Sequence, residues 1–158
     1  MSKHKSIERH KAREFAMQAI YQWQYTQDSP TEIELQFRAD NDMTTADTDY
    51  FSELLHKIPK HLIQIDEYIE KVIDRPFHEL NPVELAILRI AIYEFIYRHD
   101  VPYKVVINEA LQVTKTFGAT EAFKYVNGVL DTLAAELRPL EVTLHRSKGP
   151  AAPKKKAE

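Results

Sequence analysis

The residues best suited to chemistry lie at one end of the chain. From Met1 to Arg13, Lys3, Lys5, Arg9, Lys11 and Arg13 stand against a single acid, Glu8, a local balance of +4. Ammonium and guanidinium groups at this density engage phosphates, with an affinity that falls steeply with salt and carries little base selectivity. Selectivity for a single strand comes instead from aromatic faces and amide edges. Tyr21 supplies one aromatic, and Tyr125, between Lys124 and Val126 and two residues before Asn127, supplies another. Each keeps a structural alternative: Tyr21 as a half-buried tyrosine, Tyr125 as a core residue. Asn127 suits either a cross-helix hydrogen bond or a ligand contact, and Gly128 suits close approach of another helix.

Other chemistries lack their residues. There is no cysteine among the 158 residues, so thiolate metal sites, disulfides and cysteine nucleophiles are excluded. The 7 histidines form no HExxH pair or similar ligand spacing, and His56 and His61 flank Pro59 five positions apart. Neither a glycine-rich phosphate loop nor a GxSxG elbow is present. Glu109 has no partner visible in the sequence. These absences point away from an enzyme and from a bound cofactor. The formal charge of −3 opposes nucleic acid at first sight, but residues 28–80 hold 13 acids against 5 bases, a local balance of −8. A basic end and an acidic flank orient a polyanion toward one and away from the other. A protein-only scaffold whose basic edge meets an acidic partner is the alternative, favoured by the overall acidity and the lack of a long basic stripe.

Helices must position these groups. Ala12, Phe15, Ala16, Ala19, Ile20 and Trp23 recur at helical spacing, which predicts a first helix over 8–25. Advancing ~100° per residue from Arg9 places Arg13 only ~40° away, on the edge of the apolar stripe. Both guanidinium groups are therefore expected to project past the bundle, with Lys3 and Lys5 on a flexible arm ahead of the helix. A short second helix around Ile33 and Phe37 precedes an exposed loop over 38–49. Helices follow near Tyr50–Ile58, with Pro59 interrupting or starting the next, and across Leu62–Ile73. Asn81, Pro82 and Glu84 supply an N-cap, a first-turn proline and a third-position acid. The stripe Leu85, Leu88, Ile92 and Phe95 continues that helix to about His99. Asp100 and Pro102 start another, with Val106, Ala110, Val113 and Phe117 on one face and Gly118 as its C-cap. Thr120 is the expected cap of the last helix, which Pro139 stops.

These elements predict an all-α fold of about seven helices. They predict one domain over 1–145, built from bundles at about 8–75 and 80–138, and a disordered basic tail over 146–158 that includes Lys154, Lys155 and Lys156. No N-terminal signal pattern is present, and the apolar run Leu85–Tyr97 is too short and too charged to span a membrane. Together with the missing cysteines, this suits the cytoplasm.

Four stretches carry a family resemblance: RHKAREFAMQAIYQWQ at 9–24, NPVELAILRIAIYEF at 81–95, VPYKVVINEALQVTKTFG at 101–118 and KYVNGVLD at 124–131. In this order they resemble the NusB family of bacterial transcription antitermination proteins. The resemblance implies two packed helical bundles, no catalysis and binding to the single-stranded boxA element of nascent RNA. It implies a heterodimer with the small ribosomal-subunit protein NusE, within an assembly on RNA polymerase that acts during ribosomal RNA synthesis. Some relatives self-associate as homodimers, a further state open to this chain. The family's arginine-rich helix start looks like Arg9, Lys11 and Arg13, with His10 where arginine is frequent. A histidine holds a full charge less readily than arginine, which implies weaker phosphate binding, offset in part by Lys3 and Lys5. The aromatic before the VNG motif corresponds to Tyr125 and becomes a base-facing residue. Glu84 resembles an acidic position used toward NusE, a role independent of its capping position.

Overall fold

The computed structural model describes residues 2–148, and the lysines Lys154, Lys155 and Lys156 lie outside them. Eight α-helices and one short 3-10 turn make up the described chain, with no strand among those residues. They are α1 (Lys3–Thr26), α2 (Pro30–Asp40), α3 (Thr48–Lys60), α4 (Leu62–Val72), α5 (Pro82–Tyr97), α6 (Tyr103–Phe117), α7 (Ala122–Leu137) and α8 (Pro139–Lys148), with the 3-10 turn at Phe77–Glu79.

α5 is the axle of the fold. It packs against α1, α3, α4, α6 and α7, and Ala86 through Phe95 are all buried. The expected single stripe is therefore replaced by burial on every face, as befits a helix that is apolar all round. Its start forms as the residues predict: the Asn81 side chain accepts from the amides of Val83 (2.8 Å) and Glu84 (3.2 Å). Its far end is closed by a residue 40 positions away. Buried Arg138 donates to the carbonyls of Phe95 (2.9 Å), Glu94 (3.1 Å) and Arg98 (3.0 Å), where the last turn of a helix leaves acceptors unsatisfied.

Several boundaries differ from expectation for physical reasons. α1 begins at Lys3, because the Ser2 side chain accepts from the Lys5 amide at 3.1 Å; Lys3 and Lys5 ride on the helix and not on an arm. The loop shrinks to 41–47: Met43 is buried, Asp47 caps α3, and the Asp47 amide donates to the Glu8 carbonyl of α1. Pro59 lies in the last turn of α3. No side chain of Asp100 or Pro102 caps α6; the Tyr103 amide is met by Glu141 of α8 at 2.8 Å. Thr120 does not cap α7, whose N-terminus carries no side-chain cap. Gly118 does end α6, in extended backbone, and an added Cβ would stand 2.9 Å from the Thr114 carbonyl oxygen. Gly128 has open space where a Cβ would be, so it admits no close helix. Pro139 begins α8, which makes Arg146–Lys148 helical where a disordered tail was expected.

Candidate nucleic-acid interface

The basic start of α1 divides into an outer and an inner set. Lys3, Lys5 and Lys11 are exposed. Arg9 and Arg13 are not: they keep 9% and 4% of their surface. The expectation that both guanidinium groups stand free is corrected. The edge of the α1 stripe is covered by Tyr50 from α3 and by the turn between α5 and α6, neither visible from the helix's own periodicity.

Tyr50 is the hub of this inner set. The guanidinium carbons of Arg9, Arg98 and Arg13 lie 4.3, 4.8 and 5.4 Å from its ring centre, within the range of cation–π attraction. Its hydroxyl donates to Glu94. Arg13 donates to the same carboxylate from Nε (3.0 Å) and Nη2 (2.8 Å), both to Oε2, and Nε also reaches Oε1 at 3.2 Å, so charge-assisted bonds engage both oxygens. Glu94 is 1% exposed, so this is a buried ion pair completed by a phenol. Burial opposes the charge on Arg13, but the Glu94 carboxylate outweighs it and holds the group above its ordinary value. Burial, then Glu94, pushes the Tyr50 phenol upward as well.

Arg9 is held less firmly. Asp47 and Asp100 stand 3.6 Å from its Nε and Nη1, and both nitrogens are buried without a hydrogen bond. They border a cleft of about 310 Å³ between the starts of α1 and α6 that includes Ser6, Asp100, Val105 and Glu109. Asp100 is drawn mainly to Arg98, whose hydrogen bonds lower its carboxyl to about 2. His10 bridges the two helices: its Nδ1 lies 2.6 Å from Glu109 and its Nε2 lies 3.1 Å from Glu14. Glu109 also faces Arg13 at 3.4 Å, so the carboxylate without a visible sequence partner has two.

Farther along α1, Tyr21 is 36% exposed and meets Tyr25 edge-on at 5.2 Å. With Val83 and Phe117 they line a groove of about 530 Å³. Phe117 is 36% exposed, whereas Val106, Ala110 and Val113, expected on the same face of α6, are buried.

A second cleft of about 390 Å³ lies beside it, where the starts of α5 and α7 converge. Glu84, Glu121, Lys124, Tyr125 and Arg75 border it. Tyr125 belongs to both of its alternatives: it packs against the core and is partly exposed, and its buried hydroxyl has no hydrogen-bond partner. The Arg75 guanidinium covers its ring at 4.3 Å. Glu84 is nine-tenths buried, and burial raises its carboxyl above the usual range. Lys124 and Asn127 are exposed. The structure thus groups Glu84, Lys124 and Tyr125 and adds Arg75; Lys3, Lys5, Arg9, His10, Lys11 and Arg13 form a separate group on the early turns of α1. No signal in the sequence announces Arg75, which follows a helix end in an acidic stretch.

Fold and surface together define an all-α helical-bundle protein that presents basic and aromatic groups near its helix starts. Among the described residues, no three His, Asp or Glu side chains converge in a metal-holding group, and no helix is long and apolar enough to cross a membrane. The chain belongs to the NusB family, whose model matches residues 10–135. It is 49% identical over 142 residues to the transcription antitermination protein NusB of Pseudomonas entomophila (strain L48), covering 90% of this chain and 86% of that protein. It is 50% identical over 135 residues to the protein of that name from Idiomarina loihiensis, covering 85% and 97%. Among solved structures, T. maritima NusB matches with a TM-score of 0.69 at 27% identity, over 80% of this chain and 90% of that one. Membership makes the chain a non-enzymatic transcription antitermination factor.

Proposed function

We propose that the chain binds boxA-type single-stranded RNA together with ribosomal protein NusE, as part of an antitermination assembly on RNA polymerase. The observation that carries this reading is the exposure of Lys3, Lys5 and Lys11 on the early turns of a helix whose later turns carry an open aromatic groove. Phosphates meet the lysines, and bases meet the aromatic faces of Tyr21 and Tyr125. Lys124 and Asn127 flank the second aromatic. Arg9, His10 and Arg13 are already engaged by carboxylates, so in this reading they hold the start of α1 in place, with Arg9 Nε and Nη1 left without a hydrogen bond. Glu84, capped into α5 yet facing a cleft, serves NusE.

Fluorescence anisotropy with a boxA-type strand and a scrambled strand, across a salt series and with or without NusE, tests the proposal. Selective binding that NusE strengthens is the expected result. Absent or unselective binding favours the protein-only scaffold instead.

A further inference from the structure

Arg75 stands outside every motif that suggests RNA, yet its placement is specific. It follows α4 in the turn that leads to Phe77, and its side chain is 40% exposed. The guanidinium carbon lies 4.3 Å from the Tyr125 ring centre. Its only hydrogen bond among the described residues is from Nε to the adjacent Asp74, at 2.9 Å, a carboxylate that is itself 72% exposed. An exposed pair of this kind contributes little to stability, so the contact with the Tyr125 ring is what places the guanidinium. A planar guanidinium can lie on an aromatic ring with one face and accept a nucleobase on the other, while its N–H edges reach a phosphate.

The Tyr125 ring, packed against the core, is the floor of this stack. The neighbouring cleft holds Lys124, a second phosphate ligand, and the carboxylate of Glu121, an acceptor for base amino groups. We infer that Arg75 is a base-stacking residue of the RNA surface: the order is Tyr125, then Arg75, then a base of the single strand, with the guanidinium edge turned to a flanking phosphate. This rests on the RNA reading given above and extends it by one residue and one mode of contact.

The full chain with NusE, titrated with a boxA-type strand carrying 2-aminopurine, tests the inference through affinity, salt slope and base fluorescence. Arg75→Ala is expected to weaken binding about tenfold, the loss of one stacked base, and to lower the salt slope by about 0.7, the loss of one phosphate contact. Arg75→Lys keeps the charge and loses the plane. It should restore the slope, leave the affinity reduced, and leave at least one labelled position less quenched than with the unaltered protein. Thermal unfolding of both variants should match the parent, since the side chain is exposed. Full affinity and full quenching with lysine would show that charge alone matters, and would overturn the inference. Unchanged binding by Arg75→Ala overturns it too, while leaving the RNA reading standing. If the unaltered protein binds no RNA selectively, both fall together.

Discussion

The start of α1 and the corner where α5 meets α7 use charge in opposite ways. At the α1 start, two arginines that a helical wheel sets on an edge are buried, and Arg13 spends both prongs on Glu94. At the corner, the Glu84 carboxylate faces a cleft with no hydrogen bond among the described contacts, the buried Tyr125 hydroxyl has no partner, and Arg75 hydrogen-bonds only its neighbour Asp74 while lying over the Tyr125 ring. In the first region Arg13 and Glu94 satisfy each other in the core, while Arg9 keeps two buried nitrogens without a hydrogen bond. The second keeps polar groups in reserve, a pattern that marks sites awaiting a partner. Basic residues in a run are therefore not equivalent, and burial decides which of them can meet a ligand.

The largest expected effect lies at the α1 start. Arg13→Ala leaves the buried Glu94 carboxylate without its counter-charge, with only the Tyr50 hydroxyl to meet it, and should cost about 3–5 kcal/mol. That is a large share of the roughly 5–15 kcal/mol by which such domains are stable, and equilibrium denaturation measures it. A cost below about 1 kcal/mol would break the contrast between the regions.

Replacing Lys3, Lys5 and Lys11 together by alanine should leave stability within about 0.5 kcal/mol. The same variant should lower the RNA salt slope by about 2, three single-strand phosphate contacts at about 0.7 each. An unchanged slope would remove the outer lysines from the interface.

The corner makes a prediction of opposite sign. Burial raises the Glu84 carboxyl in the folded protein, so folding favours its protonated form. Its contribution is most favourable below the unfolded value and is lost as pH rises through the folded one. Glu84→Gln should therefore raise the melting temperature at neutral pH, with the gain shrinking as pH falls through the carboxylate range. A lower melting temperature in the glutamine variant would mean that the carboxylate is satisfied after all.

The smallest effect concerns Asp100, whose hydrogen bonds from Arg98 lower it from 3.8 to about 2. A depressed carboxyl stabilises the fold above its unfolded value, and that contribution disappears as pH falls from about 4 toward about 2. Asp100→Asn should flatten the acid limb of stability slightly, and pH-dependent thermal melts would detect it.

How much of this was legible in the sequence depends on the distance between partners. The Asn81 cap, the first-turn proline Pro82 and the end of α6 at Gly118 involve residues within a few positions of each other, and all were readable. The pairing of Arg13 with Glu94 spans 81 positions, that of Tyr50 with Glu94 44, and that of Arg138 with Phe95 43. Helical periodicity carries no information about such contacts, so neither the burial of Arg13 nor the closing of α5 by Arg138 is legible in it. α8 is not legible in the sequence because Pro139 suits a helix stop as well as a first helical turn. For the site, Lys124, Tyr125 and Glu84 could be named from sequence, whereas their convergence with Arg75 required the packing of α7 against the end of α4.

Side-chain Nε–Hε resonances of the arginines report both regions in one spectrum. On adding boxA-type RNA in the presence of NusE, the Arg75 resonance should move while that of Arg13 stays in place, held by Glu94 within the core. Movement of the Arg13 resonance with Arg75 unperturbed would contradict the division between an Arg13–Glu94 pair satisfied in the core and an Arg75 corner open to RNA.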